Sequence, residues 1–454
     1  MTNDPLDDRH KGRTFAHDDD DGGTGPDNPD GVGTLPPQPW MKAPDTRAVL
    51  DALSAQGAEV RFIGGCVRDA LLKRPIRDID IALAEPPEKV VELLRAAGIK
   101  TVPTGIDHGT ITAVVGKKSF EITTLRVDVE TDGRWAKVAY TDSWSLDAAR
   151  RDFTINALSC TRDGSVYDYF NGLQDLSNGL IQFVGRARDR ILEDKLRLLR
   201  FFRFYGYFGH PPPDPQALDA CRELAPELRS LSGERVRVEM LRTLLAPDPA
   251  GVFLLMRSYG VLEHILPEAG DVSQLRTISW LETRAIRRET LAPDPVRRLA
   301  ALLETDTSGA EAVAQRLKLS NAEKDRLIAL VDPPYPVNPD EDKHAIRKAL
   351  HRLGPDRVRD FALLNWASEL TVTARLPHEQ TQAWIDLLDA ADTWKPLAFP
   401  LRGRDVMDMG IAHGPRVGDL LDLVEAWWEE GDYRANREQC LERLENLITA
   451  NASG

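Results

Sequence analysis

The segment RFIGGCVRDALLKRPIRDIDIAL at residues 61–83 constrains the fold more than any other part of the sequence. In order, it has a short apolar run typical of a strand, two adjacent glycines, a helical pattern and a second alternating strand. Gly64 and Gly65 let backbone N–H groups approach an anion closely, and the helix start that follows adds partial positive charge. The segment therefore predicts an α+β fold with a phosphate-binding turn between strand and helix.

Asp78 and Asp80 stand at the start of the second strand and are separated by Ile79. Because alternate side chains of a strand share a face, both carboxylates point the same way while Ile79 faces the core. Paired carboxylates suit Mg²⁺, and a two-metal site supports in-line displacement at phosphorus. Taken alone, such a pair is more often a solvated surface feature, and a double glycine is more often an ordinary turn.

Strand and helix signals divide the chain into two parts. Residues 46–56 predict a helix, and strands are predicted at 61–64, 78–83, 111–115 and 119–125. The last two are expected to form a hairpin. Beyond Arg186 strand signals become scarce, and Leu/Ala/Arg-rich segments at helical spacing recur to the end. We therefore expect an α+β head followed by an all-α remainder.

Composition excludes several classes of protein. The net charge of −14 over 454 residues argues against a uniformly cationic nucleic-acid coater. No apolar run approaches the roughly 20 residues of a membrane span, and the start lacks the features of a secretory signal, so we predict no membrane partner and a cytoplasmic location. The four cysteines are dispersed without a CxxC pair, which predicts buried free thiols.

Further motifs follow the first in a fixed order: ARRDFTINAL at 149–158, YDYFNGLQDL at 167–176, EDKLRLLRFFRF at 193–204 and ERVRVEM at 234–240. The strand, double glycine, helix and Asp-x-Asp resemble the nucleotidyltransferase signature of the DNA polymerase β superfamily. All the motifs together resemble the class II tRNA nucleotidyltransferases, the CCA-adding enzymes, and most closely their eukaryotic, mitochondrial and related bacterial branch. The resemblance is close over about 45–245 and looser at 400–410 and 414–418.

This resemblance implies a polymerase β-like nucleotidyltransferase head followed by an all-α neck, body and tail. The predicted domains are a disordered acidic tail (1–44), the head or palm (45–185), a nucleotide-selecting neck (186–245), a helical body (246–390) and a tRNA-binding helical tail (391–454). It also implies a third catalytic carboxylate, for which Glu121 in a later strand is the candidate. The alternative for Glu121 is an exposed strand residue.

The neck motif is predicted to select the base. In a continuous helix, Glu193, Arg197 and Arg200 lie along one stripe, with Asp194 beside Arg197. A carboxylate accepts from the exocyclic amine of cytosine or adenine, and a guanidinium donates to the adjacent ring nitrogen, whereas guanine and uracil present the reverse pattern. The resemblance implies that Asp194 and Arg197 read the base and that Glu193 orients Arg197. The alternative is an amphipathic helix with ordinary salt bridges.

The resemblance assigns the remaining nucleotide contacts. It implies that Arg68 binds the triphosphate, that Asp152 contacts the ribose 2′-hydroxyl, and that Arg150 or Arg151, with Asn156, serves sugar and phosphates. Alternatively, Arg68 forms a surface salt bridge with Asp69 or Asp78, and Asp152 caps a helix beginning at Phe153.

Glu234 and Arg235 are predicted to brace the neck helices without touching the nucleotide. A local run of basic residues in the neck favours nucleic acid as a partner: Arg186, Arg188, Arg190, Lys195, Arg197, Arg200 and Arg203 stand against Asp189, Glu193 and Asp194, seven minus three, or +4. Arg402, Arg404 and Arg416 could grip a tRNA body, although a connector between helices is an equal alternative.

TDGRW at 131–135 lies in a segment predicted to be polar and poor in strands. In class II enzymes a flexible loop here supports the switch from C to A addition, so Asp132, Gly133 and Arg134 favour full CCA synthesis. A solvated turn is the alternative. The expected substrates are tRNA, CTP and ATP, with Mg²⁺ as cofactor. A poly(A) polymerase, an A-only or CC-only enzyme, and an inactive tRNA-binding protein are the competing functions. The sequence predicts no oligomeric state.

Overall fold

The computed structural model describes residues 31–105, 109–132, 135–373 and 375–450. The described residues form two compact units. The first comprises the chain up to Thr131 together with Trp135–Asp175, and the second comprises Asp132 and the chain from Leu176 onward. The first is built around a sheet and the second is helical, which agrees with the α+β and all-α parts expected from the sequence.

Two sheets hold the strands of the described residues. The strands are β1 (Gly33–Thr34), β2 (Arg61–Ile63), β3 (Ile79–Leu83), β4 (Lys100–Gly105), β5 (Thr110–Val115), β6 (Lys118–Thr124), β7 (Arg126–Asp132), β8 (Trp135–Tyr140), β9 (Ser159–Thr161) and β10 (Ser165–Tyr167). The larger sheet has eight strands in the order β1-β10-β9-β2-β3-β6-β5-β4, and β7 pairs with β8 separately.

The central strands β2, β3 and β6 position the candidate site. β3 runs antiparallel to β2 and parallel to β6, with Ile79 opposite Phe120 and Ile81 opposite Ile122. These four side chains are buried, so the apolar members of each alternation fix the register of the strands. The predicted hairpin of β5 and β6 is confirmed by their antiparallel pairing.

The helices up to Asn178 connect these strands along the chain, and the last of them follows β10. They are α1 (Pro39–Lys42), α2 (Pro44–Leu53), α3 (Gly65–Leu71), α4 (Pro87–Ala96), α5 (Trp144–Ala149), a 3₁₀-helix (Thr154–Asn156) and α6 (Gly172–Asn178).

Helices make up the second unit beyond α6. They are α7 (Ala187–Glu193), α8 (Leu196–Phe208), α9 (Pro215–Leu224), α10 (Gly233–Leu244), α11 (Pro249–Ser258), α12 (Leu262–Ile265), α13 (Ser273–Trp280), α14 (Pro295–Ala300), α15 (Thr307–Arg316), α16 (Asn321–Val331), α17 (Lys343–Leu353), α18 (Pro355–Val372), α19 (His378–Thr393), α20 (Gly403–Asp408), α21 (Pro415–Glu430) and α22 (Arg437–Ala450). A 3₁₀-helix (Ala225–Ser230) and a π-helix (Leu281–Ala285) interrupt the series.

Two expectations about local structure were wrong. The segment around 131–135 is not poor in strands, because β7 and β8 flank it; the acidic residues in RVDVETD conceal the alternation of its valines. The predicted disordered tail does not extend through residues 31–44, which form β1 and α1 and bury Leu35 and Met41. Residues 1–30 lie outside the described residues.

The structure confirms the expectation about the cysteines. All four cysteines are free and buried, as predicted. No helix within the described ranges is both long and apolar enough to cross a bilayer.

Candidate active site

Three carboxylates lie near one another on or beside the central strands β3 and β6. Asp78 immediately precedes β3, Asp80 lies within it, and Glu121 in β6 is the direct partner of Asp80 across the parallel pair. Burial raises the pKa of Asp80 to about 6, and the nearby charges of Glu121 and Asp78 add to this shift. Arg151 and Arg68 act in the opposite direction. Negative charge is therefore concentrated around Asp80.

The donor chemistry of this cluster fits a divalent cation. Carboxylate oxygens are ligands that Mg²⁺ prefers, and a bound cation would relieve the repulsion that raises the pKa of Asp80. Among the described residues, no group of three or more His, Cys, Asp or Glu side chains is arranged to enclose a metal. Mg²⁺ commonly uses one or two carboxylates together with substrate phosphates, so an open pair of aspartates is compatible with it.

Gly64 forms the turn between β2 and α3. Its φ of 65° is in the left-handed region that favours glycine, and its N–H donates to the carbonyl of Leu158 at 3.0 Å. A Cβ at this position would lie 3.0 Å from Nη1 of Arg151. Glycine therefore permits both the turn and the close approach of an arginine. Gly65 follows as the first residue of α3.

Arg68 on α3 is joined to Asp152 through Asn156. Arg68 is buried, and its Nη1 donates to Oδ1 of Asn156 at 2.6 Å, while its Nε donates to Asp69 at 2.9 Å. The amide nitrogen of Asn156 donates to Oδ1 of Asp152 at 2.9 Å. The structure thus brings together the residues predicted to bind triphosphate and ribose, and it also contains the alternative ion pair of Arg68 with Asp69.

Arg150 and Arg151 share a carboxylate that the sequence analysis missed. Asp147, one turn earlier on α5, accepts from Nε and Nη2 of Arg150 at 2.9 and 2.7 Å and from Nη2 of Arg151 at 3.2 Å. Burial disfavours the charge of Asp147, but Arg151 and Arg150 outweigh it and lower its pKa. The i, i+3 and i+4 spacing of the three residues was the available signal.

The neck motif corrects one sequence-based expectation. A continuous helix through 193–200 is wrong, because α7 ends at Glu193, Asp194 is extended with φ of −148°, and α8 begins at Leu196. Oδ1 of Asp194 accepts from the backbone N–H of Leu196 at 3.1 Å. Aspartate side chains compete in this way with helical hydrogen bonds, so Asp194 favours a break at this position.

The break changes the partners of the predicted base-reading residues. Glu193 accepts from Arg197 and also from Arg190, whereas the carboxylate of Asp194 accepts from Nη2 of Arg235 at 2.9 and 2.8 Å. The Glu193–Arg197 pair has the geometry expected if Glu193 orients Arg197. Arg235 on α10 holds Asp194, a contact that the sequence analysis did not anticipate.

Carboxylates from other helices balance much of the basic run in the neck. Arg203 donates to buried Glu239, and Nη1 of Arg200 lies 4.0 Å from the same carboxylate. Arg188 pairs with Glu223 at 2.9 Å. The surplus of +4 counted along the sequence therefore overstates the local positive charge.

Two predicted loop residues, Gly133 and Arg134, lie outside the described residues, and Asp132 is the last residue of β7. Arg402 immediately precedes α20, Arg404 lies within α20 and Arg416 lies near the start of α21.

Two known families match parts of this chain, and known proteins resemble it over most of its length. A family described as "Poly A polymerase head domain" matches residues 60–182, and one described as "Probable RNA and SrmB-binding site of polymerase A" matches 213–271. The mitochondrial CCA tRNA nucleotidyltransferase 1 of Danio rerio is 35% identical over 390 residues, covering 85% of this chain and 87% of that protein. The CCA-adding enzyme of Streptococcus sanguinis is 42% identical over 383 residues, covering 83% and 90%.

A solved structure gives the same result for the fold. The CCA-adding enzyme of Bacillus stearothermophilus in complex with CTP superposes with a TM-score of 0.72 at 26% identity, covering 92% of this chain and 99% of that one. The predicted polymerase β-like head followed by helices is therefore confirmed. By sequence and by fold, this chain is a nucleotidyltransferase that belongs to the family of CCA-adding enzymes.

Proposed function

We propose that this protein adds C, C and A to the 3′ end of tRNA, using CTP and ATP and releasing pyrophosphate at each step. The observation that carries the proposal is the pairing of Asp80 with Glu121 across β3 and β6, beside Asp78. This cluster belongs to a head whose relatives bear the name CCA-adding enzyme, one of them solved with CTP.

Asp78 and Asp80 would hold Mg²⁺, and Glu121 would serve as the third catalytic carboxylate. When bound, the ion supplies charge neutralisation for the phosphates and activation of the terminal hydroxyl. The protein contributes position and electrostatics with no covalent intermediate, since the terminal hydroxyl displaces pyrophosphate directly at the α-phosphorus.

The head would bind the triphosphate and the ribose through one connected set of side chains. Gly64 and Gly65 admit phosphate oxygens to the backbone, and Arg68 adds a positive charge. Asp152 would accept from the ribose 2′-hydroxyl. Asn156 and the arginine pair Arg150 and Arg151, fixed by a shared carboxylate, complete the set.

The neck would select the base. The carboxylate of Asp194 would accept from the exocyclic amine of C or A, and Arg197, oriented by Glu193, would donate to the neighbouring ring nitrogen. Guanine and uracil would leave these groups unpaired, at about 1–3 kcal/mol for each. Arg200, one turn further along α8, is the remaining nucleotide-binding candidate of the neck.

Other parts of the chain have proposed roles. The loop with Asp132, Gly133 and Arg134 would support the change from C to A, and the body (246–390) and tail (391–454), including Arg402, Arg404 and Arg416, would bind tRNA. The RNA-binding family match at 213–271 supports an RNA substrate for the helical part. A cytoplasmic location stays a prediction, because the Danio rerio relative is named as mitochondrial.

The test uses the purified full chain and tRNA that lacks its last three nucleotides. With CTP alone we expect addition of two residues, and with CTP and ATP together three residues and then a stop. Asp80→Ala should abolish incorporation while tRNA binding is retained. Unchanged incorporation by this variant would refute the catalytic assignment.

A poly(A) polymerase is the second candidate, because the matching head family carries that description. Continued addition of A beyond the third nucleotide would favour it. A-only or CC-only products would identify a partial enzyme, and tRNA binding without any incorporation would identify an inactive tRNA-binding protein.

A further inference from the structure

A cavity of about 610 Å³ lies within the helical unit, away from the residues assigned above. Its lining includes Asp248 from the start of α11, Arg276 and Trp280 from α13, Arg284 from the π-helix and Leu370 from α18. The volume is in the range of pockets that bind small molecules or single ligand groups. The cavity lining combines an aromatic ring with charged groups. None of these residues has a role in the proposed addition of nucleotides.

Trp280 is the aromatic group of this cavity and the last residue of α13. Its side chain is 48% exposed, and of the tryptophans whose burial the structure describes it alone is exposed. A large exposed ring with polar neighbours is typical of a binding surface, because its apolar faces gain by being covered.

The π-helix that follows α13 is anchored to the core of the helical unit. Glu282 is buried and accepts from Nε of Arg297 at 2.8 Å and from Nε of Arg298 at 2.6 Å, so the widened turn is tied to the core of the unit. Its neighbours Trp280 and Arg284 remain outside. Such widened turns occur often at functional sites, and this one directly follows the exposed Trp280 and contains the exposed Arg284.

The charged groups of the cavity favour an anion. In the described part of the chain neither Arg276 nor Arg284 has an ion pair, whereas Arg297 and Arg298 both pair with Glu282. Asp248 is the acidic group of the lining and caps α11 by accepting from Gly251 N–H at 3.1 Å. Two arginines and one aspartate give a surplus of +1 on a protein of net charge −14.

We propose that this cavity binds one nucleotide of the tRNA substrate, with its base stacked on Trp280 and its phosphate between Arg276 and Arg284. Base stacking on an aromatic ring beside cationic side chains is the general way in which proteins hold RNA nucleotides. Pro247 and Asp248 of the lining lie within the matched RNA-binding segment at 213–271, and α13, which carries Arg276 and Trp280, begins directly after it; this proximity favours RNA over other anions. The inference rests on the proposed function, since it takes tRNA as the substrate, and it names one nucleotide site within the body, which is proposed above to bind tRNA.

The test measures binding of tRNA that lacks CCA to the full chain by filter retention at several salt concentrations. Trp280→Ala should weaken binding about tenfold. The double variant R276Q/R284Q should weaken it about tenfold at 0.15 M salt and lower the slope of log K against log salt by about 0.7 to 0.9, as expected for the loss of one phosphate contact. At saturating tRNA, the KM for CTP and kcat should match the unaltered protein.

Matched controls separate the cavity from general surface effects. Leu254→Ala removes an exposed apolar side chain of α11, and R287Q/R375Q removes two exposed charges outside the lining. Both should bind tRNA as the unaltered protein does. Unfolding midpoints within a degree of one another would show that the cavity variants are folded. Cavity variants that bind tRNA as tightly as these controls would overturn the proposal.

A second measurement distinguishes RNA from a free nucleotide. Equilibrium dialysis with labelled CTP and with labelled ATP should give one site per chain in both the unaltered protein and R276Q/R284Q. Two sites that fall to one in the variant would assign the cavity to a free nucleotide and overturn the RNA assignment. Because tRNA binding is measured without turnover, failure of CCA addition would refute the proposed function alone and leave the test of the cavity intact.

Discussion

Arg235 donates from a single nitrogen, Nη2, to both carboxylate oxygens of Asp194, at 2.9 and 2.8 Å. The two residues are 41 positions apart, one in the turn between α7 and α8 and the other on α10. Asp194 also accepts from the N–H of Leu196, so its carboxylate is held from two sides before any nucleotide arrives. A carboxylate fixed in this way can present its remaining lone pairs in one direction only.

Replacement of Arg235 is expected to relax base selection. In Arg235→Gln the carboxylate of Asp194 loses its charged partner and can rotate, so the ratio of kcat/KM for CTP over UTP should fall about tenfold, which corresponds to about 1.4 kcal/mol. Single-nucleotide incorporation with each triphosphate measures this ratio. Arg237→Gln, on the same helix with its partner Glu323, is the control and should keep the original ratio. An unchanged ratio in Arg235→Gln would show that Arg235 only braces the helices.

Asn156 is expected to couple triphosphate binding to recognition of the ribose. Asn156→Asp keeps the acceptor for Arg68 but places an oxygen against Oδ1 of Asp152, and the repulsion should turn Asp152 away from the sugar. We expect discrimination of CTP from dCTP to fall about tenfold, with a smaller rise in the KM for CTP. Asn156→Ala should change both quantities, because it removes both hydrogen bonds. If both variants discriminate against dCTP as the unaltered protein does, Asn156 does not position Asp152.

The parts of this site that depend on local sequence pattern could be predicted. The parts that depend on pairing between residues far apart in the sequence could not. The alternation around Asp80 and the hairpin of β5 and β6 are local, whereas the alignment of Glu121 with Asp80 depends on a parallel pairing between distant strands. The break at Asp194 was missed because Leu and Arg, strong helix formers, surround it on both sides. Sequence neighbours also cannot reveal that Arg235, on another helix, holds Asp194.

Asp147 is expected to stabilise the head through Arg150 and Arg151. Asp147→Asn removes the buried charge that both guanidiniums share, and this should lower the free energy of unfolding by about 2–3 kcal/mol at pH 7. The pKa of Asp147 is lowered in the folded protein, so its contribution is present above the ordinary value of 3.8 and is lost as the pH falls below it. Urea unfolding at pH 7 measures the difference. The exposed neighbour Asp142→Asn should change stability by less than about 0.5 kcal/mol, and an equal loss in both variants would contradict the shared role of Asp147.

Asp80 should destabilise the protein when divalent metal is removed. Burial, Glu121 and Asp78 raise its pKa from 3.8 to about 6, so the folded state holds the proton more tightly than the unfolded state does. Ionised Asp80 therefore lowers the free energy of unfolding by its full amount well above pH 6, and this destabilisation disappears as the pH falls toward 4. In EDTA, Asp80→Asn should exceed the unaltered protein in unfolding free energy by about 2 kcal/mol at pH 8, and the two should be nearly equal at pH 4. Urea unfolding at the two pH values measures this difference, with Asp142→Asn, at an exposed position, as a control outside the carboxylate cluster. An Asp80→Asn variant that is no more stable at pH 8 would mean that the three carboxylates do not repel one another, which would remove the physical reason for a cation at this position.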